Sequence, residues 1–219
     1  MQAARGRIPV IAGTGSNNTR EAIRLTQHAK DAGADAALLI SPYYNKPTQR
    51  GLYLHFKAVA EAVDIPLVLY NIPGRTAVNI EPDTFGQLVG LKNVVAVKEA
   101  SGNLAQMQRI LEVTNRKLVL LSGDDALTLD VLSLGGTGVI SVVANLVPGD
   151  VAAMISAFEA GRRDEARQWH EKLLPLTNAL VLETNPIPVK TAMGMLGMVA
   201  LELRLPLCEM LEDNRLRLR

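Results

Sequence analysis

Continuous apolar runs of strand length alternate along the chain with stretches whose apolar positions recur every three or four residues. The runs are IPVIAG from Ile8, AALLIS from Ala36, PLVLY from Pro66, NVVAVK from Asn93, KLVLLS from Lys117 and TGVIS from Thr137. Between them, TREAIRLTQHAKDAGA, LYLHFKAVAEAVD and NLAQMQRILEVT carry the helical period. Runs that are apolar throughout, not alternately, predict strands covered on both faces, as crossover helices cover a parallel sheet. The starts lie 28, 30, 27, 24 and 20 residues apart, which is the length of a repeated βα unit.

Beyond the sixth run the pattern is helical only, in DVAAMISAFEAG, DEARQWHEKLLPLTNAL and PIPVKTAMGMLGM, with a further helix expected in the tail LEDNRLRLR. A doubly wound nucleotide binder calls for a glycine fingerprint after its first strand. In GTGSNN, Asn18 stands where the third glycine belongs and forms with Glu21 a capping box for the next helix. The expected class is therefore α/β of the TIM (β/α)8 barrel type. About six βα units occupy residues 1–147, and a C-terminal helical region containing the last barrel helix occupies 148–219. The opening MQAAR reads as the last turn of a helix that Gly6 stops, so the two remaining units are expected ahead of Met1.

Charge and composition narrow the partners. With 23 Lys and Arg against 22 Asp and Glu, the net charge of +1 supplies no field for nucleic acid. No apolar run approaches the roughly 20 residues of a membrane span. The single Cys208 permits no internal disulfide, and MQAARGR lacks a signal-peptide core, which together predict a cytoplasmic protein. His28, His55 and His170 are scattered without neighbours at ligand spacing, so neither a metal nor another cofactor is expected.

The chemistry gathers at strand ends, which in a barrel share one rim. The run VVAV ends in Lys98, PLVLY ends in Tyr70 with Arg75 five residues on, and AALLIS is followed by Tyr43 and Tyr44. A desolvated lysine is disposed to the neutral amine, the form that attacks a carbonyl to make a Schiff base. Tyrosine hydroxyls can relay protons, and a guanidinium forks onto a carboxylate. This ensemble suits aldol chemistry on a keto acid. Each residue also has a plainer reading: Lys98 solvated or paired with its neighbour Glu99, the tyrosines as rim packing, and Arg75 as a surface turn residue. SGDDA from Ser122 reads as a helix N-cap and GGTG from Gly135 as a turn into a strand.

Taken together, RIPVIAGTG, PYYNKPTQ, LYNIPGRT, VKEASGNL, LLSGDDA, GVISV and NPIPVK, from Arg7 to about Pro206, resemble the dihydrodipicolinate synthase family of pyruvate-dependent class I aldolases. The resemblance implies a (β/α)8 barrel with a C-terminal helical region, assembled as a tetramer of tight dimers. It implies condensation of pyruvate with L-aspartate 4-semialdehyde to 4-hydroxy-tetrahydrodipicolinate in lysine (diaminopimelate) biosynthesis. By the same resemblance Lys98 is the Schiff-base lysine, Tyr70 passes protons at the substrate, and Tyr44 joins the proton relay of the neighbouring subunit. Arg75 receives the semialdehyde carboxylate, Ile140 contacts pyruvate through its backbone, and Gly123 belongs to the substrate-binding set. Asn17, Glu21 and Tyr43 match a lysine regulatory site. A first strand, its helix and a second strand ending in GTTGE would precede Met1. Two alternatives stay open: a sister aldolase acting on sialic acid or keto-deoxy sugar acids, and a catalytically silent chain serving as an oligomer partner.

Overall fold

In the computed structural model, which describes residues 1–219, each apolar run contributes a parallel strand. These are β1 (Ile11–Gly13), β2 (Ala36–Ile40), β3 (Leu67–Asn71), β4 (Val94–Glu99), β5 (Val119–Ser122) and β6 (Gly138–Val139). The helices between them are α1 (Thr19–Asp31), α2 (Gln49–Ala62), the short α3 (Pro73–Thr76), α4 (Pro82–Leu88), α5 (Leu104–Val113) and α6 (Thr128–Leu134). The four C-terminal helices are α7 (Pro148–Glu159), α8 (Arg163–Ala179), α9 (Ile187–Met195) and α10 (Glu212–Leu218).

The chain divides into two compact units. The first comprises Met1–Asp124 with Asp130–Val139 and holds the whole sheet. Its strands follow chain order, β1-β2-β3-β4-β5-β6, each parallel to the next. Right-handed crossovers that always advance in one direction place every connecting helix on the same face, which is the winding of a (β/α)8 barrel wall. A doubly wound sheet would reverse direction partway. This unit is thus a partial TIM barrel of six strands joined by five helical crossovers, with β1 and β6 each paired along one edge only. Its core is built from the helix-facing side chains of the sheet and the apolar stripes of the helices; Leu39, Leu69, Leu52, Phe56, Phe85 and Met107 are all solvent-free.

Strand length tracks pairing. The central β3 and β4 run five and six residues, whereas the edge strands β1 and β6 keep three and two of their apolar runs. Local signals acted mostly as expected, with one modification. Asn18 caps α1 by accepting from the backbone N–H groups of Arg20 and Glu21. Glu21 does not complete the box directly. It accepts the Ser16 hydroxyl at 2.6 Å, and the Ser16 oxygen in turn accepts the Asn18 N–H at 3.1 Å, so the return bond runs through an intervening serine.

The second unit comprises Asp125–Leu129 and Ile140–Arg219. Val151, Met154 and Phe158 of α7 and Ala166 and Leu173 of α8 are buried, and the Arg163 guanidinium lies 3.3 Å from the Phe158 ring centroid. Asp125, in the part of SGDDA that falls in this unit, does not act as a plain helix cap. The Asp125 carboxylate accepts the Ser141 hydroxyl and the N–H groups of Val142 (2.8 Å) and Val143 (3.3 Å), fastening the segment that follows β6. Glu183 ties down α10 by accepting from Leu211 N–H and the Asn214 side chain. No helix is long and apolar enough to cross a membrane.

Candidate active site

The β3–β4 register sets Tyr70 opposite Lys98 and Asn71 opposite Glu99. Because side chains alternate along a strand, these two pairs occupy opposite faces of the sheet. Asn71 and Glu99 are met by Gln106 of α5, so theirs is the helix-covered face and Tyr70 and Lys98 project from the other. There the Lys98 Nζ stands 4.2 Å from the centroid of the Tyr70 ring. A cation over the face of an aromatic ring is attracted by its quadrupole, so the contact holds the amine in place without consuming the phenol oxygen.

Burial pushes the Tyr70 phenol above its usual pKa of 10, with the charge of Arg75 pulling the other way. The first effect outweighs the second, and Tyr70 stays a proton-bearing hydroxyl at neutral pH. Arg75 is carried by α3, which Pro73 opens and which ends at Ala77 in a left-handed conformation (φ 60°). The guanidinium is thereby delivered, exposed, to the Tyr70 end of β3. Gly123, directly after β5, closes the site. A Cβ on it would lie 3.1 Å from Lys98 Cε and 2.7 Å from Ala100 Cβ, and its N–H donates to the Glu99 carbonyl at 2.7 Å. The lysine stem occupies space that only a glycine leaves.

Other residues singled out from sequence lie outside this cluster. Tyr44 stands 87 % exposed on a left-handed backbone (φ 73°), a conformation a bulky residue adopts only where surrounding structure imposes it. Asn17 and Tyr43 do meet: the Asn17 side chain donates to the Tyr43 carbonyl, and Asn45 returns a bond to the Asn17 carbonyl. Glu21 sits at the start of α1, engaged with Ser16 and ion-paired to Arg24 at 3.5 Å. Ile140 is half-buried directly after β6. No group of three or more His, Cys, Asp or Glu side chains is placed to hold a metal ion.

The sequence reading offered Glu99 as an ion-pair neighbour of Lys98. Strand alternation turns it to the helix-covered face, where it is solvent-free and accepts from Asn71, Ser101 and Gln106. The polar cluster it centres on, reaching Asn79 and Gln49, went unread, although Asn71 and Glu99 each interrupt an apolar strand face at matching register.

Comparison with known proteins gives the family. The family model for the dihydrodipicolinate synthetase family matches residues 1–219. The 4-hydroxy-tetrahydrodipicolinate synthase of Geotalea daltonii is 55 % identical over 218 residues, covering all of this chain and 75 % of that protein. That of Syntrophobacter fumaroxidans is 59 % identical over 214 residues, 97 % of this chain and 74 % of the relative. The crystal structure of dihydrodipicolinate synthase from Aquifex aeolicus superposes with a TM-score of 0.97 at 52 % identity, covering 99 % of this chain and 74 % of that one. The present chain thus spans about three quarters of the length of these relatives. The chain belongs to the dihydrodipicolinate synthetase family.

Proposed function

We propose that this chain is a 4-hydroxy-tetrahydrodipicolinate synthase, a class I aldolase-type lyase that condenses pyruvate with L-aspartate 4-semialdehyde through a Schiff base on Lys98. The observation that carries the reading is the Lys98 amine held 4.2 Å from the Tyr70 ring on adjacent strands, with Arg75 close enough to act on the phenol. The Lys98 nitrogen attacks the keto carbon of pyruvate, and loss of water leaves an iminium. Removal of a methyl proton gives an enamine, whose carbon bonds to the aldehyde carbon of the second substrate. The amino group of that substrate then closes on the former keto carbon and displaces lysine, giving the cyclic product used in lysine (diaminopimelate) biosynthesis.

Tyr70, kept protonated by burial, supplies the proton that the departing oxygen needs and takes one back in the reverse sense. Arg75 receives the semialdehyde carboxylate, which suits a cation on an exposed turn beside the amine. Gly123 makes room for the lysine stem and the bound keto acid. Tyr44, exposed and conformationally forced, is offered across a subunit interface to a neighbouring site, which makes a homo-oligomer the working form. Asn17, Tyr43 and Glu21, joined through the loops after β1 and β2, form part of a lysine regulatory site.

Borohydride reduction of the 219-residue chain in the presence of pyruvate, followed by peptide mass spectrometry, tests the central step. A reduced pyruvate adduct confined to the Lys98 peptide and lost in Lys98→Ala is expected. A folded chain that traps no pyruvate at Lys98 overturns the assignment.

A further inference from the structure

We infer that Glu99 and Asn71 are positioning residues for the reaction: their cross-strand pair on the helix-covered face latches β3 to β4 and thereby holds Lys98 against Tyr70 on the opposite face. The inference rests on the Schiff-base reading for its catalytic meaning, but the latch is a physical claim about where Lys98 is held.

Its basis is placement. Leu69 faces Val97 and Asn71 faces Glu99 on one side of the β3–β4 ladder; Tyr70 faces Lys98 on the other. Leu69, Val97, Asn71 and Glu99 are all solvent-free, so two polar residues end a face that is otherwise apolar. A buried carboxylate is costly, and burial indeed pushes the Glu99 carboxyl above its usual range. Hydrogen bonds offset that cost. The Asn71 amide donates to both Glu99 oxygens (3.2 and 2.9 Å), Ser101 N–H donates at 2.7 Å and the Gln106 amide at 3.4 Å.

Asn71 is itself fixed on two further sides. Its oxygen accepts the Ile80 N–H at 2.9 Å, and its amide also reaches Asn79 Oδ1 at 2.8 Å. Asn79 and Gln106 exchange bonds of 2.8 and 3.1 Å. Gln49 of α2 carries the network outward, donating to the Asn79 carbonyl and accepting from Glu81 N–H and the Thr84 hydroxyl. The network thus clamps the ends of β3 and β4 to the loop that follows α3 and to the first turn of α5. A ladder already held by backbone bonds and apolar packing gains nothing in burial from this arrangement. What it gains is a fixed pleat at the one register step that also carries Tyr70 and Lys98. Near-attack geometry is lost over roughly 1 Å, so a relaxed pleat lowers the rate of the covalent step while leaving keto-acid binding largely intact.

The test compares wild type with Glu99→Gln, Asn71→Asp and the double variant Asn71→Asp/Glu99→Gln, all in the full 219-residue chain. Glu99→Gln sets amide against amide and Asn71→Asp sets carboxylate against carboxylate, whereas the double variant restores one donor and one acceptor with the polarity reversed. Two readouts are taken per folded molecule: the rate of borohydride-trapped pyruvate adduct at Lys98 as pyruvate is varied, and trace acetylation of Lys98 by acetic anhydride relative to the exposed Lys92. Each single variant is expected to lower the saturating trapping rate by about tenfold or more. The pyruvate concentration for half-saturation should stay within about threefold, Lys98 acetylation should rise several-fold as the amine is released from the ring, and the double variant should recover both. Where Glu99→Gln alone fails to fold, Asn71→Asp against the double variant still reads the latch, since the second substitution should then restore what the first removed.

Unchanged trapping and acetylation across the single variants, or a fall that only follows lost thermal stability, overturns the latch. Absence of any pyruvate adduct in the wild type, with acetylation still shifting among variants, overturns the Schiff-base reading and leaves the latch standing.

Discussion

At the residue scale, the amine at Lys98 depends on a neighbour with no side chain. Replacing Gly123 by alanine puts a methyl 2.7 Å from Ala100 Cβ and 3.1 Å from Lys98 Cε. The first contact is with a Cβ that cannot rotate away, so β5 shifts or the lysine stem does. Overpacking of this kind costs about 1–3 kcal/mol. Gly123→Ala is therefore expected to fold with a lowered melting temperature and to lose about tenfold or more in pyruvate trapping at Lys98, since a small displacement at the reacting atom weighs more heavily than the same displacement elsewhere. Retention of the full trapping rate would remove Gly123 from the site. The same stretch of sequence shows where reading stops: SGDDA read as a helix N-cap and only the resemblance drew attention to Gly123, whereas strand pairing is what brings it beside Lys98.

At the scale of elements, the strands and helices were legible because period is local. Apolar runs and helical stripes announced every strand and most helices, and chain-order pairing followed from one hand of crossover. That Lys98 and Tyr70 would meet was legible because strand ends converge whatever the loops do. The polar clamps were not, because a hydrogen-bond partner is chosen in space. Asp125 illustrates this: within its own 3-10 turn it is an ordinary acidic residue, yet it closes the segment sixteen to eighteen residues on by accepting from Ser141, Val142 and Val143. Asp125→Ala strands those donors in a partly buried setting, and an unsatisfied donor costs about 1–3 kcal/mol. Denaturant unfolding should show a loss of that order, with Asp125→Asn recovering part of it. A change under about 0.5 kcal/mol, the usual range for surface substitutions, would mean that solvent replaces the carboxylate without penalty.

For the molecule as a whole, two buried groups bend the pH dependence of stability in opposite senses. His55 on α2 is 5 % exposed, accepts or donates one bond with Thr19 at 2.9 Å, and has a second ring nitrogen buried without a hydrogen-bond partner. Burial lowers its pKa from 6.5 to about 4. The unfolded chain then binds the proton first, so stability is complete above pH 6.5 and is lost as pH falls toward 4. At 1.36 kcal/mol per pH unit across that gap, the loss approaches about 3 kcal/mol, a sizeable part of a typical total of 5–15. Glu99 runs the other way. Its carboxyl is raised above 4.5 in the folded protein, so the folded chain holds the proton longer and stability falls as pH rises from 4.5 through the folded value. Above pH 4.5, for as long as Glu99 is still titrating in the folded chain, the two contributions oppose each other, which flattens the wild-type curve there. Removing either should unmask the other: His55→Gln, which can still bond Thr19, should lose less stability than wild type on acidification, and Glu99→Gln should lose more. Chemical denaturation at half-unit steps from pH 4 to 8 measures both slopes. Variant curves parallel to the wild type would mean that these side chains titrate alike in the folded and unfolded states, contrary to their burial.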